Sequence, residues 1–409
     1  MGNNSLEQKD SAEGVITPEG VAALQRRIGI EMPQEWPGYE FASRDGIRCY
    51  SEGIGDRNPL FRDAEYAARG RWKRVIARPT MILYMGVSEK KKPTPEEKAI
   101  GRGGGLPGVH AMYSGEELEW FRPIYEGDRL TVKGGLAKAE EKTSQFSGNT
   151  VHETRDRVYW NQHGELVGVA RSLIIRTQRT KSRGLRKYLD IPIQSYTPEE
   201  IARIDADYER EEIRGVNTRY WEDVTVGEEI VPVVKGPWCP TFYIVFAEGT
   251  GHRSEFHKAH SLAYEYRKQH PKAFPLNEYG FPDIIMRVHW DPKMAQITGL
   301  PGCYDYGGER IGWMEHGVTN WMGDDGFLRK LSVQIRRFCV TGDTMWIKGK
   351  VIDKHIEEEE YWVELDIWAD NQRGETTAAG KASVLLPSRT DGPVKIPAKI
   401  PKDISIFAK

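Results

Sequence analysis

Hydrophobic and polar residues alternate along several stretches of the chain, and these stretches occur in two similar sets. Residues 121–134 (FRPIYEGDRLTVKG) and 336–349 (RRFCVTGDTMWIKG) each place a Gly-Asp turn between two strand-like segments. Residues 159–175 (YWNQHGELVGVARSLII) and 368–386 (WADNQRGETTAAGKASVLL) share an Asn-Gln-x-Gly-Glu turn. Alternation on both sides of a short Gly-containing turn is typical of antiparallel hairpins. The pattern therefore predicts two copies of one antiparallel sheet.

Apolar residues at helical spacing precede each set of strands. Residues 77–86 (ARPTMILYMG) predict a short apolar helix in the first half. Residues 306–323 (YGGERIGWMEHGVTNWMG) place Ile311, Met314 and Val318 at helical spacing in the second half. A sheet that curls around one apolar helix buries both elements at once. The sequence thus predicts an α+β fold with an internal duplication.

A charged helix separates the two copies. It lies within residues 194–215 (QSYTPEEIARIDADYEREEIRG) and begins with Thr197 and Pro198, residues that favour a helix start. The predicted organisation is a first domain at residues 20–190, a helical linker at residues 191–218 and a second domain at residues 219–390.

Composition narrows the class of protein. The 409 residues are 39% hydrophobic and 29% charged, as expected of a globular protein with a substantial core. The formal net charge of −2 argues against a nucleic-acid-binding surface. No segment approaches the roughly 20 apolar residues of a membrane helix, and the start lacks the apolar run of a secretory signal. The four cysteines are scattered, which favours a reducing compartment, so we expect a cytoplasmic protein that binds neither nucleic acid nor membrane.

The segment EGIGDRNPLFRD, residues 52–63, allows two interpretations. Asn58 is a preferred N-cap, Pro59 suits a first helical position, and Gly55 with Asp56 suits the turn before them. On this interpretation the segment only separates two helices. The alternative is that Asp56 transfers a proton.

The longer stretch GIGDRNPLFRDAEYA resembles the signature of MaoC-like dehydratases and (R)-specific enoyl-CoA hydratases. That signature is Gly-Asp-x-Asn-Pro, a hydrophobic residue and then His. Residues 108–130 (GVHAMYSGEELEWFRPIYEGDRL) resemble a strand of the same family, and residues 20–190 resemble its N-terminal dehydratase type. The second half resembles the family through WEDVTVGEEI and YDYGGERIGWMEHGVTNWMGDDG. The resemblance implies a double hot dog, in which two antiparallel sheets each wrap around a central helix.

The resemblance also implies a reaction. It is the reversible hydration of a trans-2-enoyl-CoA to a 3-hydroxyacyl-CoA, which makes the protein a hydro-lyase with no cofactor beyond the coenzyme A of its substrate. The reaction needs a base for the water at Cβ, an acid for Cα, and backbone N–H groups at the start of the buried helix for the thioester oxygen. A hot-dog acyl-CoA thioesterase and a non-catalytic acyl-thioester-binding subunit remain alternatives.

Carried over by position, the resemblance assigns roles to individual residues. Asp56 is the expected general base and Asn58 the residue that positions water, but Phe61 stands where the family has His. Aligning residues 246–260 (FAEGTGHRSEFHKAH) on residues 50–64 places a histidine, His257, opposite Phe61. The predicted catalytic residues are Asp56, Asn58 and His257. The predicted substrate-binding residues are Arg57, His110, Glu255 and His252.

Two further expectations concern metals and assembly. In RVHWD, residues 287–291, a His and an Asp share one face of a possible strand, but the sequence offers no third ligand, so we predict no metal site. Exposed sheet edges are usually covered by association, so we expect a homodimer or a larger homo-oligomer.

Overall fold

The computed structural model describes residues 14–33, 37–89, 92–101, 106, 108–144, 148–178, 191–251 and 258–408. The α-helices of this part are α1 (Pro18–Gln25), α2 (Arg44–Ile54), α3 (Ala64–Arg69), α4 (Pro95–Gly101), α5 (Pro198–Glu209), α6 (Pro240–Gly249), α7 (His260–Gln269), α8 (Pro292–Ile297) and α9 (Gly307–Met322). The strands are β1 (His110–Trp120), β2 (Thr131–Ser144), β3 (Gly148–Trp160), β4 (Leu166–Thr177), β5 (Val233–Lys235), β6 (Phe327–Ile335), β7 (Met345–Glu357), β8 (Glu360–Asn371) and β9 (Thr376–Leu385).

The strands of both halves form one continuous antiparallel sheet. Its order is β2-β3-β4-β1-β6-β9-β8-β7-β5, so the first four positions belong to the first half and the rest to the second. Pairing of β1 with β6, from Gly115 opposite Gln334 to Glu119 opposite Lys330, joins the halves. The predicted antiparallel duplication is confirmed. Strands β2 and β5 are the outer strands, and association into a homodimer stays a prediction.

The two halves repeat their turns at the level of single hydrogen bonds. Asp128 accepts a hydrogen bond from the Gln162 amide (3.1 Å), and Asp343 accepts the same bond from Gln372 (2.9 Å). Each aspartate also accepts from the backbone N–H three residues earlier, at 2.8 Å in the first half and 3.1 Å in the second. Side chains that bond the backbone of their own turn fix its shape locally. The duplication is therefore visible in the sequence because the residues that form these turns are the same in both halves.

The helices enclosed by the sheet differ between the halves. In the second half α9 is buried along its length, from Gly308 to Met322. In the first half the predicted helix is instead a 3₁₀-helix of six residues, Pro79–Tyr84, with Arg78 as its N-cap. Backbone hydrogen bonds hold both ends of this segment, from Ala77 to the Ile124 carbonyl and from Tyr39 to the Tyr84 carbonyl. Both ends of the segment are thus held by residues that are distant in the sequence.

Helices α2 and α6 cross at a pair of equivalent glycines. A Cβ at Gly53 would lie 3.1 Å from the Phe246 Cα, and a Cβ at Gly249 would lie 2.6 Å from the Cys49 carbonyl oxygen. The rings of Tyr50 and Phe246, at equivalent positions in the two halves, are 6.3 Å apart. Contact between equivalent positions indicates an approximate twofold axis at this crossing.

Replacement of Gly249 by Ala is expected to lower the free energy of unfolding by about 1–3 kcal/mol, because the added methyl group overlaps backbone that cannot rotate away. Gly70→Ala is the matched control, since its Cβ would meet the nearest atom at an ordinary 3.5 Å. Urea unfolding of both variants measures the difference. Equal stability of the Gly249 variant and the unmodified protein would contradict this account of the crossing.

The segment after β9 returns from the second half to the first. The backbone N–H of Ala398 donates to the Phe121 carbonyl at 2.7 Å, just after β1. Further along, the Ser405 hydroxyl donates to Asp156 on β3 at 2.7 Å. Ile404 and Phe407 pack in a small core with Phe121 and two valines of the first half. The C-terminal tail, residues 387–408, thus spans both halves.

Candidate active site

The Gly55–Pro59 loop has the cap geometry that its sequence predicts. Gly55 ends α2 with φ of 78°, a left-handed conformation that glycine adopts without strain. Asn58 caps the 3₁₀-helix Pro59–Phe61, and its side-chain oxygen accepts a hydrogen bond from the Leu60 N–H at 3.0 Å. The loop therefore separates two helical segments, as the first interpretation requires. The function of Asp56 depends on its surroundings.

Asp56 lies inside the protein with both carboxylate oxygens engaged. It is 1% exposed. One oxygen accepts from the Asn58 N–H at 2.8 Å, and the other is ion-paired with the guanidinium of Arg78. A buried carboxylate with these two contacts holds the shape of its loop. The general-base role of Asp56 stays a prediction.

Arg78 bridges two carboxylates from different halves. Besides Asp56, it donates to Glu315 on α9 at 2.8 Å, and neither side chain of the Arg78–Glu315 pair is exposed. The same Glu315 oxygen accepts from the Thr80 hydroxyl at 2.9 Å, which in turn accepts from Tyr50 at 3.1 Å. A buried charge is tolerated only when paired and hydrogen-bonded in this way. These buried polar groups of the first half therefore connect it to α9 of the second half.

The imidazole beside Asp56 comes from the second half of the chain. His316 Nε2 on α9 lies 3.3 Å from Asp56 Oδ1, and Lys235 Nζ lies 2.8 Å from His316 Nδ1. Burial and the neighbouring cations hold the pKa of His316 well below its usual range, so the ring is neutral. Burial also lowers the pKa of Lys235 to about 7. Nothing in the sequence pattern points to His316, because it is separated from Asp56 by most of the chain.

An apolar pocket lies beside the Gly55–Pro59 loop. Its cavity volume is about 40 Å³. Asn58 and Phe61 of the first half line it together with Thr319 and Met322 at the end of α9. Most of the remaining lining is apolar: Leu60, Trp72, Ile76, Ala77, Pro79, Trp120, Pro123, Ile124, Phe327 and Leu328. The pocket is thus built by both halves at the position where the family motif would place its His.

A carboxylate from the second half reaches this pocket. Asp324, which follows α9, accepts a hydrogen bond from the Asn58 amide at 3.0 Å and another from the Tyr66 hydroxyl at 2.7 Å. It is 7% exposed, and burial raises its pKa above the usual range. Asn58 therefore acts as a cap and also positions this carboxylate.

The second half contains a counterpart of the 3₁₀-helix and α3. Asp63 caps α3 by accepting from two backbone N–H groups, at 2.9 and 3.0 Å. Asp291 caps α8 in the same way, at 2.9 and 3.4 Å, and a 3₁₀-helix, Ile285–His289, precedes it. Counting two residues back from each capping aspartate makes His289 the counterpart of Phe61. This count makes His289 a second candidate for the corresponding place, beside His257, which lies outside the described residues.

His289 is oriented by its neighbours. Its Nδ1 lies 2.8 Å from the Tyr304 carbonyl oxygen, and since a carbonyl only accepts, Nδ1 carries a hydrogen; in the neutral form of the ring, Nε2 then carries the lone pair. The ring stacks on Tyr243 with centroids 4.9 Å apart and lies 5.5 Å from the ring of Tyr306, the N-cap of α9. It is 5% exposed. His289 thus lies near the start of the central helix, with its ring held by these contacts.

The first turn of α9 is shaped by two glycines. A Cβ at Gly307 would lie 2.4 Å from the Tyr113 ring, and a Cβ at Gly308 would lie 2.1 Å from the Tyr84 hydroxyl. Both tyrosines belong to the first half. Backbone N–H groups in the first turn of a helix have no partner within the helix and attract negative charge. Glycine here permits the close approach of the two halves around that turn.

Glu309, the third residue of α9, is an unusual buried acid. Its carboxylate accepts from the Trp238 indole at 3.3 Å and from the Tyr306 N–H at 3.4 Å. Burial, with Asp305 nearby, raises the pKa of Glu309 to about 8. Near neutral pH the folded protein therefore holds a proton here that the unfolded chain has released.

The raised pKa of Glu309 predicts that the stability of the protein depends on pH. Between pH 4.5 and 8 the folded state binds more protons at Glu309 than the unfolded state, so its contribution to stability falls as pH rises and is constant above pH 8. Glu309→Gln removes the titration. The stability of the unmodified protein relative to this variant should drop by a few kcal/mol between pH 5 and 8.5. Urea unfolding at both pH values measures it, and a constant difference would contradict the raised pKa.

The remaining predicted residues are His110, Arg57 and three residues that the structure does not describe. His110 begins β1, roughly 30 Å along the strand from Trp120, which lines the pocket. Arg57 is exposed on the loop. Three predicted residues lie outside the described part of the chain: His252, Glu255 and His257. Their roles stay predictions.

Two features are absent from the described residues: a candidate metal site and a membrane-spanning helix. Among them, no group of three or more His, Cys, Asp or Glu side chains could hold a metal ion. No helix in the same ranges has the length and apolar character needed to cross a bilayer. The four cysteines, all of which the structure includes, are free thiols.

Comparisons with known proteins support the resemblance seen in the sequence. Residues 28–169 match the family model described as "FAS1-like, dehydratase domain region". A "UPF0336 protein" of Streptomyces griseus is 28% identical over 155 residues, which are 38% of this chain and 95% of that protein. A "Probable enoyl-CoA hydratase alpha subunit" of Thermomonospora curvata is 28% identical over 171 residues, covering 39% of this chain and 52% of that protein.

A likeness to solved structures extends over both halves. A protein titled "MaoC-like dehydratase" superposes with a TM-score of 0.59 at 18% identity, covering 89% of this chain and 99% of that one. At this identity the likeness concerns the fold. The comparisons thus bear out the resemblance to MaoC-like dehydratases: residues 28–169 match a dehydratase family model, and the chain has the double hot-dog fold.

Proposed function

We propose that the protein is a hydratase/dehydratase that interconverts a trans-2-enoyl-CoA and a 3-hydroxyacyl-CoA, with its chemistry in the second half. One observation carries the proposal. His289, a candidate for the place of the family His, lies against Tyr306, the N-cap of α9. In the first half the same place holds Phe61, and a 3₁₀-helix stands where the central helix would be.

The local chemistry supports the direction of the proton transfers. His289 Nε2, which carries the lone pair, would take a proton from water as the water oxygen bonds to Cβ. The thioester oxygen gains negative charge and would be stabilised by N–H groups in the first turn of α9. The imidazolium would then return a proton to Cα. Water is thereby added across the double bond, and the imidazole regains its starting form.

A second candidate function is acyl-thioester binding without catalysis. Counting back from the capping aspartates places Ile284 opposite Asp56, so the second half lacks the carboxylate of the family motif. In the first half Asp56 is engaged with Arg78. If a single imidazole cannot catalyse hydration without a carboxylate, this division of the Asp and His between the halves favours a role in binding.

The deciding experiment follows a series of trans-2-enoyl-CoAs of increasing chain length. Loss of the enoyl absorbance reports hydration, free thiol reports thioester hydrolysis, and calorimetry reports binding. We expect hydration without thiol release. Thiol release would indicate a thioesterase, whereas binding with neither reaction would indicate a non-catalytic subunit, and either result overturns the proposal.

A further inference from the structure

The sheet of the first half is charged on the face that it turns toward the enclosed helix. On β3, the Tyr159 ring packs against Gly86, just after the 3₁₀-helix, so Tyr159 marks this face. Side chains of a strand alternate between its two faces, which places Arg157, Arg155 and Glu153 on the same face as Tyr159. The face of an antiparallel sheet that packs on the core is usually apolar, so these residues depart from the pattern of the fold.

The second half provides an internal comparison for this face. The shared Asn-Gln-x-Gly-Glu turn aligns β3 with β8, and the strand pairing agrees with that alignment. Arg155 lies opposite Ser172 of β4, and at the equivalent place Leu365 lies opposite Ala382 of β9. The charged residues Glu153, Arg155, Arg157 and Arg176 thus correspond to four buried core residues, Val363, Leu365, Ile367 and Leu386. Departures of this kind from the pattern of a fold are expected at functional sites.

Three arginines surround a single carboxylate on this face. The Glu153 side chain is fully buried and is ion-paired with Arg155, at 2.9 Å, and with Arg176. Arg27, just after α1, is near enough for both arginines to act on it: burial first, and then the positive charges of Arg155 and Arg176, lower its pKa. We call Arg27, Arg155 and Arg176 around Glu153 the arginine cluster. Three positive charges against one negative charge leave an excess of two.

The arginine cluster is accessible and has hydrogen-bond donors to spare. The side chains of Arg155 and Arg176 are 38% and 19% exposed. Arg155 donates to Glu153 through Nε and Nη2, and Arg176 donates through Nε. A guanidinium has five N–H groups, so both arginines keep donors for a further acceptor. Arginine forks that carry an excess of positive charge match the geometry and the charge of a phosphate group.

The same charged face extends to the start of α9. Arg157, two residues from Arg155 on β3, donates to Glu116 at 3.0 Å, and Glu116 also accepts from the Tyr113 hydroxyl at 2.7 Å. The Tyr113 ring lies against Gly307 in the first turn of α9. The proposed function places the thioester oxygen of its substrate at this turn. A phosphate-bearing arm of a ligand held there could therefore extend along the sheet to the arginine cluster.

We propose that the arginine cluster binds a phosphate group. Phosphate oxygens accept hydrogen bonds from Arg27, Arg155 and Arg176 and offset the excess of positive charge, while Glu153 holds two of the guanidinium groups in place. Two sources share this chemistry: the phosphates of the coenzyme A substrate and a separate phosphorylated ligand. The first of these sources rests on the proposed function, whereas the binding of phosphate itself does not.

Calorimetric titration of the full-length chain with inorganic pyrophosphate tests the proposal. Arg27→Gln removes one cation and leaves both ion pairs of Glu153 in place, so the affinity should fall by about tenfold or more. Arg210→Gln is the matched control for the loss of one positive charge. Arg210 lies at the end of α5 with its side chain 73% exposed, and its replacement should leave the affinity unchanged.

A variant with the opposite expected effect makes the test specific. Glu153→Gln removes the negative charge that competes with a bound anion, so the affinity for pyrophosphate should rise severalfold. Circular dichroism checks the folding of each variant, and Arg27→Gln with its control decides the proposal if Glu153→Gln does not fold. The absence of pyrophosphate binding at millimolar concentration, or equal affinities of Arg27→Gln and the unmodified protein, would overturn the proposal.

A titration in the presence of saturating coenzyme A distinguishes the two sources. Displacement of pyrophosphate would assign the cluster to the phosphates of coenzyme A, and undiminished binding would assign it to a separate phosphorylated ligand. Both results support phosphate binding by the cluster. Failure of coenzyme A to bind would count against the proposed function, while the pyrophosphate titrations would still decide this proposal.

Discussion

Replacing His289 by Asn is expected to lower kcat for enoyl-CoA hydration by about 10²–10⁴-fold, the usual contribution of a general base. The Asn side-chain amide can still donate to the Tyr304 carbonyl, as Nδ1 does at 2.8 Å in the unmodified protein. What it removes is the basic Nε2. The measurement is steady-state hydration of a trans-2-enoyl-CoA, with thermal unfolding to show that the variant folds.

Two further variants make this result specific. His355→Asn changes a half-exposed histidine on β7 and should leave kcat unchanged. Asp56→Asn tests the role that the family motif assigns to this residue, and we expect a smaller loss of kcat than for His289→Asn. If Asp56→Asn abolishes hydration while His289→Asn retains it, the chemistry belongs to the first half and our assignment is wrong.

The largest expected effect on stability follows removal of Arg78. Arg78→Met keeps a long apolar side chain but leaves the carboxylates of Asp56 and Glu315 buried without a counter-charge. Breaking a buried ion pair in this way costs about 3–5 kcal/mol. Urea unfolding at neutral pH measures the loss. The triple variant with Asp56→Asn and Glu315→Gln should regain part of it, since no unpaired charge remains.

A surface arginine provides the control. Arg48 pairs with Glu52 at 3.0 Å, but both side chains are more than 40% exposed. Solvent screens such a pair, so Arg48→Met should cost much less than Arg78→Met. Equal costs for Arg48→Met and Arg78→Met would show that the buried cluster does not need its cation.

Features that depend on neighbouring residues were predictable from the sequence. The paired turns contain their own hydrogen-bonding partners, as Asp128 and Asp343 illustrate, so the duplication was visible without a structure. The cap at Asn58 likewise follows from local preferences. The 3₁₀-helix Pro79–Tyr84 did not follow from local preferences. Its ends are held by hydrogen bonds with Ile124 and Tyr39, which lie elsewhere in the chain.

The site depends on contacts that local patterns do not encode. His316 reaches Asp56 only because α9 packs across the first half. The correspondence of His289 with Phe61 was not predicted, because RVHWD, residues 287–291, was interpreted only as a possible metal site. A usable signal did exist, since VHWD and LFRD share an aspartate that caps the following helix.

The C-terminal tail has a consequence for splitting the protein. If the chain were cut in the linker before α5 and the two pieces were produced separately, the second fragment would carry Ile404 and Phe407 without the core they fill. Those residues would then act as a recognition sequence for the first fragment, with Ala398 supplying a backbone hydrogen bond to guide its position. We expect the fragments to reassemble spontaneously and to lose this ability when residues 397–408 are deleted from the second one. Fragment complementation, followed by size-exclusion chromatography, would test this expectation. Deletion of the tail would then allow each half to be studied on its own.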